Sequence, residues 1–362
     1  GLFLLLFPQT TANIVFFIFG TALIVAGFGI RDSITTIADD QFGTITHYDI
    51  SATFSTPMDE TQQAAFRERF AGTGECVFAE TGSYEIKTGK GVYTLNVVAT
   101  DDTDITRLIG FRNGEEEVAY PQEGALIDRA LAATLGVKAG DTITVSVSET
   151  QKVELPVAGL VENYVYHYAY MTARTYERLF GTSCQYKTAY LTTDGDTYAL
   201  GAEIADPPRV ANVTVVASLR SLVRNMMKSM DYIVALVICS ACALALVVLF
   251  NLCNISITER VREIATVKVL GFYRSETRFY VFREVMMLTF LGAVVGLPCG
   301  WALHRFIMQQ IRLDMVSFQT RVTPLSYGLS FLITMLLGSV VCILLARKID
   351  RVPMAESLKS VE

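Results

Sequence analysis

Charge is scarce in this chain. Of 362 residues, 18% are Asp, Glu, Lys or Arg and 51% are hydrophobic, more apolar surface than one water-soluble core of this length needs. Histidine occurs only three times, at His47, His167 and His304. Each is isolated, with no HExxH pattern or paired carboxylates around it, so no metal site is expected. No GxxxxGK[ST] loop is present. Thr88-Gly89-Lys90-Gly91 lacks both the first glycine at the required spacing and a hydroxyl after the lysine. The chain therefore offers no seat for nucleotide hydrolysis. A GxSxG elbow is missing as well, and no nucleophile-and-base constellation emerges, so no catalytic or cofactor-binding residue is expected. Glu115-Glu116-Glu117 reads as a solvated loop. The net charge of −6 argues against a nucleic-acid partner.

What the sequence does have is long apolar runs. A hydrocarbon core of about 30 Å takes roughly 20 apolar residues of helix to cross. Tyr232–Cys253, Val285–Ile307 and Leu325–Ala346 qualify, and Ala12–Ile30 is shorter but uncharged. In lipid each backbone polar group must be paired within its own segment, so all four are expected to be helices. The expected plan is an N-terminal segment and first span (1–30), an extracytoplasmic α+β domain with helical stalks (31–231), and a second span (232–254). A cytoplasmic helix and loop (255–284), a third span (285–308), a short outer loop (309–324), a fourth span (325–346) and a cytoplasmic tail (347–362) complete it. Orientation follows from basic residues near the span ends. Arg260, Arg262, Lys268, Arg274, Arg278 and Arg283 flank the second and third spans, and Arg347, Lys348 and Arg351 follow the fourth. The intervening domain, with 27 Asp/Glu against 17 Lys/Arg over Arg31–Lys228, is placed outside. The opening "GLFLLLFPQT" shows no Met and no basic n-region, and it reads as the cut end of a longer polypeptide.

Helical spacing continues beyond the first span through Ile34 and Ile37. It precedes the second through Leu222, Met226 and Met230. These residues are expected to form two stalks, since a continuous helix rising about 1.5 Å per residue carries a displacement with little loss. Within the domain, Thr94–Ala99, Thr142–Val147 and Val153–Val161 alternate as strands do. An Asp128-led helix is expected to stop at Gly136, and another to stop at Gly181. Gly292, Gly296 and Gly300 recur every four residues and mark a close helix-packing face, while His304 and Arg305 are expected to reach the interface. Cys239, Cys242, Cys253, Cys299 and Cys342 lie in or beside spans. Cys76 and Cys184 can form one disulfide if the outside is oxidising.

The stretch "ITERVREIATVKVLG" puts Ile257, Val261, Ile264 and Ala265 on one helical face and Glu259, Arg260, Arg262 and Glu263 on the rest. Gly271 ends the helix and Ser275-Glu276 caps the next. Helices that lie on membranes favour Lys and Arg on the polar face. Mixed signs suit a groove on a protein partner. Together with the run to Gly300, this stretch resembles the signature of FtsX-like ABC permeases, the MacB/LolC/LolE type. Glu259, Arg260, Arg262, Glu263, Ile264, Leu270, Gly271 and Glu284 fit that pattern. The order of one span, a large outer domain and three spans is similar too, and the chain resembles the C-terminal module of large two-module bacterial permeases. The resemblance implies a permease subunit in the bacterial cell membrane working by mechanotransmission. ATP and Mg would be bound by a cytoplasmic ABC ATPase dimer and not by this chain, with a second permease module, from the same chain or a homodimer, beside it in the bilayer. Ile257, Glu259 to Ile264, Leu270 and Gly271 would form the ATPase-coupling helix. The outer domain would then export or extract a peptide, lipid or lipoprotein-like substrate. The alternative is a membrane regulator that moves no solute and activates an extracytoplasmic cell-wall hydrolase.

Overall fold

The computed structural model describes residues 8–70, 72–89, 91–205, 209–310 and 320–350. Among the described residues four helices are long and apolar enough to cross a membrane by length and composition: α1 (Pro8–Asp40), α7 (Val216–Glu259), α9 (Arg274–Gln310) and α10 (Pro324–Asp350). At 1.5 Å per residue the 44 residues of α7 and the 33 of α1 far exceed the length needed to span about 30 Å of hydrocarbon. Both helices therefore run on beyond their apolar segments. The chain divides into two compact units, one built from the helices and one from Thr35–Met227.

In the helical unit, the glycine face forms as its spacing requires. A Cβ on Gly296 would lie 2.6 Å from the Cβ of Thr21, and one on Gly300 would lie 2.5 Å from that of Val25. Gly292 meets Phe17 in the same way. Three successive turns of α9 thus press directly on α1, a contact only glycine permits. Thr21 adds a hydroxyl contact to Thr334 of α10 at 3.1 Å.

The other unit is built on a nine-stranded sheet ordered β11-β1-β10-β2-β3-β9-β6-β8-β7. The strands are β1 (Ile50–Phe54), β2 (Cys76–Thr88), β3 (Gly91–Ala99), β6 (Ala125–Asp128), β7 (Thr142–Ser146), β8 (Lys152–Val161), β9 (His167–Met171), β10 (Thr188–Leu191) and β11 (Val210–Val215). A two-residue ribbon, β4 (Arg112–Asn113) and β5 (Glu116–Glu117), stands apart with both glutamates exposed. Only β3–β9 and β6–β8 pair in parallel. A single pairing of Glu85 with Ser146 brings β2 round to β7. The curved half encloses Leu95, Val97, Ile127, Ile143, Leu155 and Met171.

Short helices cover the sheet: α2 (Glu60–Arg69), α3 (Ile105–Leu108), α4 (Arg129–Leu135), α5 (Ala173–Phe180) and α6 (Thr197–Ile204). Their ends are chemically marked. Asp128 caps α4 by accepting from the Leu131 N–H at 2.9 Å, and Gly136 closes it in the left-handed conformation. Thr172 and Gly181 bracket α5 likewise. Asp59 and Gln62 form a reciprocal capping box on α2. The expected strands at 94–99, 142–147 and 153–161 are β3, β7 and β8. Cys76 and Cys184 are free thiols and pack in different apolar clusters.

Candidate functional site

The stretch from Ile257 to Glu276 takes in the end of α7, a short separate helix and the first residues of α9. α7 ends at Glu259. Arg260 leaves helical geometry (φ −99°, ψ 17°), and α8 (Val261–Val269) starts in a new direction. Gly271, in the left-handed region at φ 90°, lets the chain reverse into α9. The cap on α9 differs from the sequence expectation. Glu276 reaches back to the Tyr273 N–H at 2.7 Å, so Tyr273 holds the cap position and Ser275 is already inside the helix.

The apolar face of the helix is used inside the unit. Ile257, Ile264 and Ala265 are buried, and Ile257 and Ile264 share a cluster with Phe17, Leu249, Val341, Leu345 and Ile349. Val261 is half-buried, whereas Arg262 and Glu263 are exposed. The outward surface is therefore the opposite side of α8 and its tip, where Leu270 is 72% and Tyr273 77% exposed.

Polar contacts tie this bend to three helix ends. Arg260 pairs with Glu284 of α9. That hydrogen bond, and the Glu284 and Glu263 charges acting against desolvation, raise its guanidinium above the ordinary value. Lys268 Nζ donates to the carbonyls of Ile349 at 2.8 Å and Asp350 at 3.1 Å, closing the C-terminal end of α10. Burial there lowers the ammonium pKa, opposed by the Asp350 charge. Arg278 holds Asp350 through two guanidinium nitrogens, a geometry that fixes direction as well as distance. Lys348 reaches Asn254 and the Thr258 hydroxyl on α7. Four helices thus meet as one charged interlock around α8. Sequence reading singles out Arg260, Glu263 and Glu284, gives Lys268, Arg278 and Lys348 only a part in orientation, and assigns no contact to Asn254 or Asp350. Their partners lie 72 to 94 residues away, and single-sequence spacing carries no sign of them.

A second polar group lies among α1, α9 and α10. Asp32 accepts from the Thr323 N–H and the Ser326 hydroxyl, at 2.8 and 2.6 Å. Ser33 contacts His304 Nε2 at 3.1 Å. His304 is fully buried against Gly29, which corrects the expectation that it reaches the interface. Arg305 is the one that turns outward, over the Trp301 ring at 5.6 Å. Asp32 is buried as well, at 8% exposure.

Of the stalk residues, Ile34 and Ile37 are buried, Ile37 among Ile45, Val98 and Ile105. Leu222 is 53% exposed. The side chains of Met226 and Met230 lie outside those described. In the sheet unit His167 is not isolated, since its Nδ1 lies 3.1 Å from both carboxylate oxygens of Asp128. Asp128 is already the α4 cap, so the pair acts as a brace across β6 and β9. Among the described residues no group of three or more His, Cys, Asp or Glu is placed to hold a metal.

Residues 235–354 match the family model described as FtsX-like permease C-terminal. This third of the chain, containing the bend, the interlock and the glycine face, is the part similar to FtsX-like permeases. Among solved structures the chain is similar to the extracellular domain of the noncanonic ABC-type transporter YknZ from Gram-positive bacteria. That match has 13% identity over 43% of this chain and 90% of that one, with a TM-score of 0.29. It is also similar to the periplasmic region of MacB from Actinobacillus actinomycetemcomitans, at 9% identity over 50% of this chain and 94% of that one, with a TM-score of 0.30. The comparison with curated proteins found no match.

Proposed function

We propose that this chain is the membrane subunit of an ABC transporter that converts the movement of a cytoplasmic ATPase into movement of an extracytoplasmic domain. The observation that carries this reading is the interlock around α8. A helix that only lay on a membrane would not need its apolar face buried against other helices, nor its two ends bonded to α9 and α10. A helix that must pass a push to the spans does. Arg262, Glu263 and Leu270 are left on the outside as the surface a partner grips. Mixed charge around an apolar tip suits a protein groove, where matched signs set register.

In this reading α8 and the helix ends face the cytoplasm, where the basic residues flanking the second to fourth spans belong. The acidic domain of Thr35–Met227 faces out. ATP and Mg stay on the ATPase dimer, and a second permease module supplies the other half of the membrane assembly in a bacterial cell membrane. α1 and α7 are the stalks, unbroken from their apolar segments into the outer domain. The work is mechanical, so the substrate class is one met at the outer surface: a peptide, lipid or lipoprotein.

The test is co-purification of the full chain with its ATPase. Glu263→Lys and Leu270→Asp alter exposed side chains. They are expected to leave the melting temperature nearly unchanged, as surface substitutions within about 0.5 kcal/mol do, while ATPase recovery falls about tenfold. Full recovery with both variants would show that the ATPase binds elsewhere.

A further inference from the structure

Two adjoining depressions on the sheet unit share Val98, Tyr168 and Tyr190. The first, about 90 Å³, is apolar and aromatic, bounded by Phe42, Ile45, Tyr48 and Tyr170. The second, about 260 Å³, lies over the sheet face and presents Ser51, Thr53, Thr81, Ser83, Thr188 and Asn96. Its size falls just under the usual range of ligand pockets, about 300 Å³ upward. Among the described residues no Asp, Glu, Lys, Arg or His lines either depression, although the surrounding Arg31–Lys228 stretch carries 44 charged residues in its sequence. Burial raises the phenol pKa values of Tyr48, Tyr168, Tyr170 and Tyr190, so these groups stay neutral.

A second observation points at the same place. Tyr166, on the rim, has φ 61° and is the only non-glycine in the left-handed region among the described residues. For a bulky side chain this conformation is strained, and it persists only where the surroundings impose it. They do so here. The buried Asn163 amide donates to the carbonyls of Val165 at 2.7 Å and Tyr166 at 2.9 Å. Gln41 donates to Asn163 Oδ1 at 3.1 Å and accepts from the Tyr164 N–H at 2.9 Å. A closed pair of amides thus holds an aromatic ring, 47% exposed, at the mouth of the groove.

We infer that this groove is a binding site for an uncharged saccharide of one or two rings, read by tyrosine faces and by the hydroxyl and amide groups of the sheet. The chemistry excludes the other classes in turn. An anion would meet no Lys or Arg, and a cation no carboxylate. An extended peptide adds to a sheet through unpaired edge backbone, but β1, β10, β2, β3 and β9 are interior strands with neighbours on both sides. A purely apolar ligand would leave the remaining hydrogen-bonding capacity of the hydroxyl floor unused and cut off from water. Tyrosine provides an apolar face together with a hydrogen-bonding hydroxyl. The floor groups already exchange hydrogen bonds, Thr81 with Thr188 at 2.7 Å and Ser83 with Asn96 at 2.7 Å, so they are held in place to meet sugar hydroxyls. Gln41 directly follows α1, so the clamp on Tyr166 sits at the end of a stalk. The site itself does not depend on the ATPase reading, and binding is measured without one.

The experiment uses the full chain in lipid nanodiscs free of sugar detergents and glycolipids, titrated calorimetrically with cellobiose, with N,N′-diacetylchitobiose and with trialanine. Saturable binding of at least one disaccharide, with Kd of about 1 mM or tighter, is expected, and none of the tripeptide. Tyr166→Gly removes the ring and relieves the backbone conformation, so the variant should melt no lower than the parent while its affinity falls about tenfold. Tyr198→Ala, exposed on α6 and outside the groove, should bind as the parent does. Failure of both disaccharides to bind, unchanged affinity in Tyr166→Gly, or preference for the tripeptide would overturn the assignment.

Discussion

Arg260 and Glu284 lie 24 residues apart and are joined by a hydrogen-bonded ion pair that spans the bend between α7 and α9. The pair fixes the angle at which α8 leaves the second span. Exposed ion pairs contribute about 0.2–1 kcal/mol, and both of these side chains are partly exposed, so the pair is a small part of stability. Its role is directional.

Arg260→Glu should therefore lower the melting temperature only slightly yet uncouple ATP hydrolysis from outer-domain activity. The exchange Arg260→Glu with Glu284→Arg should recover most of the coupling. Stimulated ATPase rates of single and double variants in proteoliposomes check this. A double variant as defective as either single one would assign Arg260 a role in direct partner contact instead.

The glycine face yields a sharper stability test. Gly296→Ala places a methyl group where Thr21 Cβ and the Ile18 carbonyl already stand, at 2.6 and 3.0 Å. Overpacking of this kind costs about 1–3 kcal/mol. Gly328→Ala, in α10, meets nothing within 4 Å and should be neutral or slightly stabilising, because alanine is the better helix former. Thermal denaturation in one detergent compares the two, and equal melting temperatures would mean that α1 and α9 do not pack at this face.

Glu80 supplies a pH-dependent test. It is buried in β2 and accepts the Gln185 N–H at 2.8 Å. Burial raises its pKa above the ordinary carboxylate value, opposed by that hydrogen bond and by Lys187. The native state then keeps this proton to higher pH than the unfolded chain does. The group favours the native state at low pH, and that contribution is lost as pH rises from the ordinary value through the folded one. Glu80→Gln, neutral throughout, should melt above the parent at about pH 7, with the difference closing toward about pH 4. A difference that grows on acidification would reverse the sign of the shift.

Local chemistry made part of this structure readable from sequence. Asp128 and Gly136 mark both ends of α4 because capping is decided within a few residues. β3, β7 and β8 follow from period-two alternation, and the glycines of α9 from period four. Two kinds of feature were not readable. The interlock joins side chains distant in sequence, so Lys268 shows as a basic residue on a helix and not as the closure of α10. The apolar face of α8 is legible too, but not what covers it, because periodicity shows that a face is buried without showing by what. Tyr166 escaped for a related reason. Its conformation is imposed by Asn163 and Gln41, and nothing in "VENYVYHYAY" announces a left-handed residue.

The central claim, that the α8 tip and the sheet domain lie on opposite sides of the membrane, is tested by thiol labelling with a membrane-impermeant maleimide. Burial raises the Cys76 and Cys184 thiols to about 12, which leaves little native thiolate in that domain to react. Ser83→Cys should label in intact cells, and Phe272→Cys, 53% exposed beyond α8, only after the membrane is permeabilised. Labelling of Phe272→Cys in intact cells would place the tip outside and contradict the account.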